Sequence, residues 1–192
     1  YKKLPYDPSK DLKIVTVLAE MPHVVVAPPS LPANNLKELT ALAQKDPNHL
    51  NFGSAGVGSS VHMIGELYKM VAKAPITHVP YKGSSPAIND LMGGQIQLMF
   101  ENPPTVIQHV KGGKLKALAV SGKQRLPALP DVPTGIESGY PGFEATSWTT
   151  IAVGAKVPDA IADKLNADIR KVVATPAFQK GLQHQGMTAV PS

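Results

Sequence analysis

The chain has 192 residues, of which 43% are hydrophobic and 17% charged, so it is long and apolar enough for one large domain or two small lobes and is not a disordered chain. It contains no cysteine, which excludes disulfides, thiolate metal ligands and cysteine nucleophiles. The net charge of +5 comes from scattered Lys and Arg without basic runs, so we predict no nucleic-acid partner.

Short β-branched runs alternate with helical patterns along the chain. The β-branched runs predict strands at residues 14–18, 24–27, 51–53, 77–79, 96–100, 115–120 and 147–153. The first helix is capped by Asn34 or Asn35 and ends before Asp46, and further helices are predicted at residues 60–72, 86–92, 104–110, 159–174 and 177–185. Residues 124–143, rich in Pro and Gly, are predicted to form a long connection.

This alternation of strands and helices predicts an α/β fold with a parallel or mixed sheet covered on both faces. In the helix predicted at residues 159–174, Ile161, Leu165, Ile169 and Val172 form an apolar stripe, and Trp148 is predicted to belong to the core. The first twenty and last fifty residues offer too few strands to complete a sheet of their own. The sequence therefore indicates a fragment, or a chain that completes itself by pairing with another copy.

The segment NFGSAGVGSSVHMIGELYKM, residues 51–70, predicts a strand, a glycine-rich turn and a helix. Gly53 and Gly58 have the spacing of a phosphate-binding loop, but the lysine that this loop requires is replaced by Ser59. Val61 likewise stands where a dinucleotide-binding fingerprint needs its third glycine. The segment is still able to hold an anion through backbone amides at a helix N-terminus, and the alternative is a plain loop in which Ser59 or Ser60 caps the helix.

A second loop, HVPYKGSSPA at residues 78–87, repeats this arrangement of strand, turn and helix. Tyr81 could stack on a ligand or donate its hydroxyl, and Lys82 could supply charge. At a third strand end, Glu101 would repel an acid. Its carboxylate is expected either to accept from an ammonium or hydroxyl group, to bind backbone amides, or to point away.

The sequence gives little support for catalysis. The six histidines are dispersed without an HxxxH pair, and no GxSxG motif occurs. We therefore predict no catalytic residue, no metal site and no cofactor.

Several blocks in a fixed order make the chain resemble one known family. They are YDPSKDL, PHVVVAPPSLP, NFGSAGVGSSVHMIGELYKM, HVPYKGSSPAINDLMGGQIQLMF, GGKLKALAVSGKQRLPALPDVPT and GYPGFEATSWTTIAVGAKVP. Together they resemble the Bug-type, TctC-like extracytoplasmic solute receptors of tripartite tricarboxylate transporters. On this resemblance the chain is N-terminally incomplete and lacks the signal peptide of a periplasmic protein.

The resemblance implies a type II periplasmic-binding-protein (Venus flytrap) lobe with part of the second lobe. Residues 21–144 would form lobe two, the ligand-binding lobe, and residues 1–20 and 145–192 would be parts of lobe one. Hinge closure would then involve the connections near residues 21–25 and 143–147. The exposed face of the incomplete lobe one is expected to be apolar, and a homodimer through exposed or exchanged lobe-one elements remains open.

The function implied is capture of a small carboxylic acid, of the di- or tricarboxylate or acidic amino acid class, and its delivery to membrane permease subunits. The resemblance and the loop analysis together predict ligand contacts at nine positions: Ser54, Ala55, Gly56, Gly58, Ser59, Tyr81, Lys82, Gly83 and Glu101. Family members often have Asp where this chain has Glu101, and the extra methylene alters the expected ligand selectivity.

Two other classes of protein compete with the receptor. One is the effector-binding domain of a LysR-type transcription regulator, which predicts an attached helix-turn-helix segment. The other is a small α/β transferase that acts on an anionic substrate, which predicts a perturbed acid or base in its cleft. The ordered sequence blocks favour the receptor over both.

Overall fold

The computed structural model of the protein describes residues 4–47 and 49–190. The chain divides into two compact units, one formed by Tyr1–Met21 with Ser147–Ser192 and the other by Pro22–Thr146. Residues 1–3 and 191–192 of the predicted lobe-one segments lie outside the described residues. No helix within the described residues combines the length and apolar character needed to cross a membrane.

The elements follow one another in a largely alternating order. The strands are β1 (Leu12–Pro22), β2 (Val24–Ala27), β3 (Asn51–Ser54), β4 (Thr77–Pro80), β5 (Leu98–Glu101), β6 (Lys116–Val120), β7 (Thr146–Gly154) and β8 (Thr188–Ala189). The helices are α1 (Pro8–Asp11), α2 (Leu36–Lys45), α3 (Ser60–Ala72), α4 (Ser84–Met92), α5 (Pro103–Lys111), α6 (Asp159–Val173) and α7 (Pro176–His184). The predicted α/β class is confirmed, and α1 and β8 are additions to the predicted set.

The larger unit contains a five-stranded mixed sheet in the order β4-β3-β5-β2-β6. Strand β3 pairs in parallel with β4 and β5, whereas β2 runs antiparallel to β5 and β6. The carboxyl ends of β3, β4 and β5 therefore lie at one edge of the sheet, together with the start of β2 near His23. Glu101, the last residue of β5, is paired with Val24.

Two apolar layers cover the faces of this sheet, because successive strand residues point to opposite sides. One layer contains Phe52 and Phe100 packed against Tyr68 of α3. The other contains Met99 together with Ala87 of α4 and Val106 of α5. Helix α3 thus covers mainly one face, and α4 and α5 cover the other.

Capping side chains define the helix starts of the larger unit. The N-cap Asn35 accepts a hydrogen bond from the Glu38 amide, and the Glu38 carboxylate accepts from the amide of the preceding residue, Asn34. Ser59 accepts from the His62 amide at the start of α3, which spans the predicted residues 60–72. Helix α4 begins at Ser84, two residues before the predicted start.

The smaller unit contains a three-stranded sheet in the order β7-β1-β8. In the apolar stripe of α6, Ile161 is 52%, Leu165 38% and Val172 53% exposed. Trp148 on β7 is 65% exposed and was wrongly predicted as core. Apolar periodicity shows that a helix or strand has an apolar face, but it does not show which segment covers that face.

Candidate functional site

The candidate site lies at the sheet edge where β3, β4 and β5 end. Strands β3 and β5 are parallel neighbours, but the helices that follow them, α3 and α5, pack on opposite faces of the sheet. Adjacent parallel strands whose connections diverge in this way leave a crevice between their carboxyl ends. Open α/β sheets bind their ligands at such a crevice.

Residues 55–59, here named the glycine loop, join β3 to α3. Gly56 and Gly58 have φ angles of 129° and 82°, in a region that side chains with a Cβ rarely adopt. A Cβ on Gly58 would meet no atom within 4 Å, so this part of the backbone borders open space. The turn therefore allows close approach of a ligand to the main chain.

Three amides of the glycine loop are used internally. The Gly56 amide donates to Ser54 Oγ at 3.1 Å, the Gly58 amide to His62 Nδ1 at 3.1 Å and the Ser59 amide to the Gly56 carbonyl at 3.2 Å. The amides of Ala55, Val57, Ser60 and Val61 have no hydrogen-bond partner within the described residues. Two of these four open the first turn of α3, where the helix dipole favours an anion.

The side chain of Ser54 stabilises the glycine loop through hydrogen bonds. Its side chain is fully buried, and its hydroxyl shares a 2.6 Å hydrogen bond with His78 Nε2 while accepting from the Gly56 amide. Ser54 was predicted as a ligand contact. In this geometry its hydroxyl is engaged by the protein and braces the turn.

A histidine pair lies under the glycine loop. The His62 and His78 rings are 4.0 Å apart between centroids, next to the Phe52 ring. Burial, followed by the neighbouring His62, lowers the pKa of His78 below its usual value, so this ring is neutral near pH 7. The sequence predicts six dispersed histidines. The structure brings His62 and His78 together because His78 pairs with Phe52 between β3 and β4 and the Phe52 ring lies next to both histidines, which no local sequence signal predicts.

The loop after β4 offers a second set of amides. The Tyr81 amide donates to the Ser54 carbonyl at 3.0 Å and thereby ties this loop to the first. Gly83 has a φ of 115° and caps α4 without a side-chain hydrogen bond. The amides of Lys82, Gly83, Ser84 and Ser85 have no partner among the described residues. Helix α4 therefore also begins with unoccupied donors.

The side chains of this second loop differ in their engagement. The Tyr81 hydroxyl donates to Asp90 Oδ2 at 2.7 Å, and burial together with this carboxylate raises the pKa of Tyr81 to about 12. Lys82 is exposed and forms no ion pair with any described residue. Of the two, Lys82 is the one whose polar group is available to a ligand.

The end of β5 carries an acceptor. Glu101 is fully buried, and its Oε1 accepts from the backbone amide of Asn102 at 2.8 Å and from Asn102 Nδ2 at 3.0 Å. Its Oε2 is buried without a hydrogen-bond partner among the described residues. Helix α5 then starts with Pro103 and Pro104, which have no amide hydrogen to offer.

All nine predicted contact residues thus lie at one sheet edge, although their contact with a ligand stays a prediction. The edge offers backbone donors, one exposed cation and one buried carboxylate. Within the described residues, no group of three His, Asp or Glu side chains is placed to hold a metal ion.

The family comparison agrees with this architecture. The profile described as tripartite tricarboxylate transporter family receptor, TctC, matches residues 1–192. The chain belongs to this family. The resemblance read from the ordered sequence blocks is therefore confirmed.

Curated relatives cover nearly all of the chain. BugT from Bordetella pertussis is 34% identical over 187 residues, which are 97% of this chain and 57% of BugT. A UPF0065 protein from the tcbD-tcbE intergenic region of Pseudomonas sp. (strain P51) is 34% identical over 188 residues, which are 97% of this chain and 56% of that protein. The chain thus spans little more than half the length of these relatives.

Solved structures share the fold. R. palustris Rpa4515 with adipate has a TM-score of 0.93 and 32% identity, over 98% of this chain and 63% of that one. MatC from Rhodopseudomonas palustris with bound malate has a TM-score of 0.86 and 32% identity, over 97% of this chain and 63% of that one. The periplasmic binding protein BugD has a TM-score of 0.87 and 32% identity, over 96% of this chain and 62% of that one. The predicted fold class, that of periplasmic solute-binding proteins, is confirmed.

Proposed function

We propose that this chain is the ligand-binding part of a periplasmic receptor that captures a small carboxylic acid and delivers it to the permease of a tripartite tricarboxylate transporter. The observation that carries the proposal is the set of unoccupied amides at the starts of α3 and α4, beside one crevice. A carboxylate accepts several such hydrogen bonds at once, and two helix N-termini favour its charge.

Neutral donors suit a transport receptor because they hold the acid without a buried ion pair that would have to be separated on release. Lys82, exposed at the same edge, adds attraction that is screened by salt. Two structural relatives carry adipate and malate, which are both dicarboxylates, and this supports the same ligand class here.

The proposed role is binding without chemistry. The polar side chains nearest the crevice are occupied in bracing the loops, as Ser54 with His78 and Tyr81 with Asp90 illustrate. Delivery to a permease is proposed on the basis of the family description, and a homodimer through exposed or exchanged lobe-one elements stays a prediction.

The proposal is tested by thermal unfolding of the intact protein that the gene encodes, with succinate, malate, adipate, citrate and aspartate in turn. A ligand at about 100 times its Kd should stabilise the protein by about 2.7 kcal/mol. The neutral diamides of succinate and adipate serve as controls, since they keep the size and lose the charge. If no acid stabilises the protein, or if the diamides stabilise it equally, carboxylate capture is excluded.

A further inference from the structure

Glu101 is a buried carboxylate with only half of its acceptor capacity used. Asn102 donates twice to Oε1, while Oε2 lies buried without a partner among the described residues. No ion pair with a described Lys, Arg or His compensates the charge. A buried acceptor without a donor destabilises the protein, so an acceptor kept in this state calls for a donor from outside the chain.

The position of Glu101 places it in the crevice. Phe100 points into the layer that contains Phe52, whereas Met99 points to the opposite face, so the alternation of β5 puts Glu101 on the side of Met99. The parallel register pairs Gly53 with Met99, and its continuation by two residues brings Ala55 of the glycine loop beside Glu101. The end of β5 that carries this buried carboxylate therefore lies beside the loop whose open amides the proposed function assigns to the ligand.

The amides after β3 are hydrogen-bond donors, whereas the neighbouring carboxylate at the end of β5 is an acceptor. Amides at the end of β3 attract a carboxylate, but a second carboxylate at the end of β5 repels it. A plain dicarboxylic acid has no group that satisfies Glu101. An acid with a hydroxyl or ammonium group next to its carboxylate satisfies both strand ends together.

We propose that Glu101 Oε2 accepts a hydrogen bond from a hydroxyl or ammonium group of the bound acid, so that the protein selects hydroxy or amino carboxylic acids over acids that lack this donor. The inference rests on the proposed function and adds the ligand class to it. The carboxylate of the ligand is held by the amides of the glycine loop, and its donor is held by Glu101.

The test uses the intact protein and acids that differ only in the donor. Calorimetry compares succinate with malate and aspartate, and adipate with 2-aminoadipate. The wild-type protein is expected to bind a donor-bearing acid about tenfold or more tighter than its unsubstituted counterpart, the effect of one charge-assisted hydrogen bond.

The Glu101→Gln variant should change the affinity ratios between donor-bearing and unsubstituted acids in a characteristic way. The two donors of Asn102 keep the amide oxygen of the glutamine in the Oε1 position, so its NH₂ group replaces Oε2 and presents hydrogens to the ligand. The advantage of the aspartate ammonium should then disappear, that of the malate hydroxyl should shrink, and succinate should bind as tightly as before or tighter. Asp131→Asn removes an equal charge at an exposed site and should leave every ratio unchanged.

Each result decides between the two proposals. If succinate or adipate binds and the donor-bearing acids gain nothing in the wild-type protein, the donor inference fails and carboxylate capture survives. The same conclusion follows if Glu101→Gln leaves the ratios unchanged. If none of the acids binds, the proposed function itself fails. Should the variant not fold, the wild-type ratios decide alone.

Discussion

The ends of β3 and β5 are neighbours in one sheet, yet they present opposite polarities to the crevice. After β3, glycines at positions 56 and 58 expose main-chain amides that lead into the open first turn of α3. After β5, Pro103 and Pro104 remove the amides from the first turn of α5, and Glu101 supplies an acceptor. The same strand-loop-helix unit therefore becomes a donor or an acceptor according to the few residues at its turn.

If the proposed function holds, ligand recognition depends on the residues at the turns, since the sheet itself treats the two strands alike. Both strands are short, buried and parallel, and both are followed by a helix at the same edge. Blocking the open amides after β3, here called the donor end, should abolish capture of any acid. Changing Glu101 at the end of β5, here called the acceptor end, should alter only which acid is preferred.

The largest effect is expected from Gly58→Val. The side chain would stand in open space beside the amides of the glycine loop, where the ligand must approach, and should weaken carboxylate binding about 100-fold, or about 2.7 kcal/mol. Gly113→Val is the matched control. Gly113 has a φ of 69°, close to the 82° of Gly58, and also has open space around it, but it lies after α5.

Both valine variants should lose a similar 1–2 kcal/mol of stability, roughly the cost of a side chain in the left-handed region. Only Gly58→Val should lose the melting shift produced by the bound acid. Equal affinity in the two variants would mean that the glycine loop does not approach the ligand.

A smaller effect is expected from Ser54→Ala, which tests how the donor end is held. The substitution leaves the Gly56 amide without its acceptor and removes the hydroxyl partner of His78, so the free energy of unfolding should fall by about 1–3 kcal/mol. Ligand affinity should fall with it because the turn is less well fixed. Ser30→Ala, at an exposed site, should change neither quantity in urea titrations.

Capping signals explain why the bounds of α3 were predicted to the residue and the start of α2 to within one residue. Asn35 and Ser59 occupy N-cap positions whose hydrogen bonds are local, so α2 and α3 are visible in the sequence. The start of α4 was placed near Pro86 because proline favours the first turn. Gly83, at a φ of 115°, instead allows the helix to begin at Ser84.

The site was only partly predictable for a similar reason. Glycine spacing predicts the open turns, because φ angles above zero depend on the residue itself. The contact of Ser54 and His62 with His78 depends on the register between β3 and β4, and no local signal encodes it. The unpartnered oxygen of Glu101 depends on burial at the end of a strand that lies between β3 and β2, which residue type alone does not reveal.

The smallest effect is expected from pH. It changes the free energy of unfolding through the rings of His23 and of His78, which lies beneath the glycine loop. Burial lowers the pKa of both His23 and His78 below the ordinary value of 6.5, while the His23 ring donates from Nδ1 to the Phe100 carbonyl. The unfolded chain therefore binds protons first as the pH falls. Stability should be complete above about pH 6.5 and should decline as the pH falls towards the folded pKa values.

The carboxyl groups whose pKa is lowered, such as Glu137 beside Arg125, act in a more acidic range, so urea midpoints between about pH 7.5 and 5.5 isolate the histidines. His78→Gln should reduce the slope of the urea midpoint against pH but should not abolish it, because His23 remains. A flat profile would mean that His23 and His78 take up protons as readily in the folded protein as in the unfolded chain. A charged His78 would add a cation beneath the glycine loop, and neutral amides would then no longer be the main source of attraction for the acid.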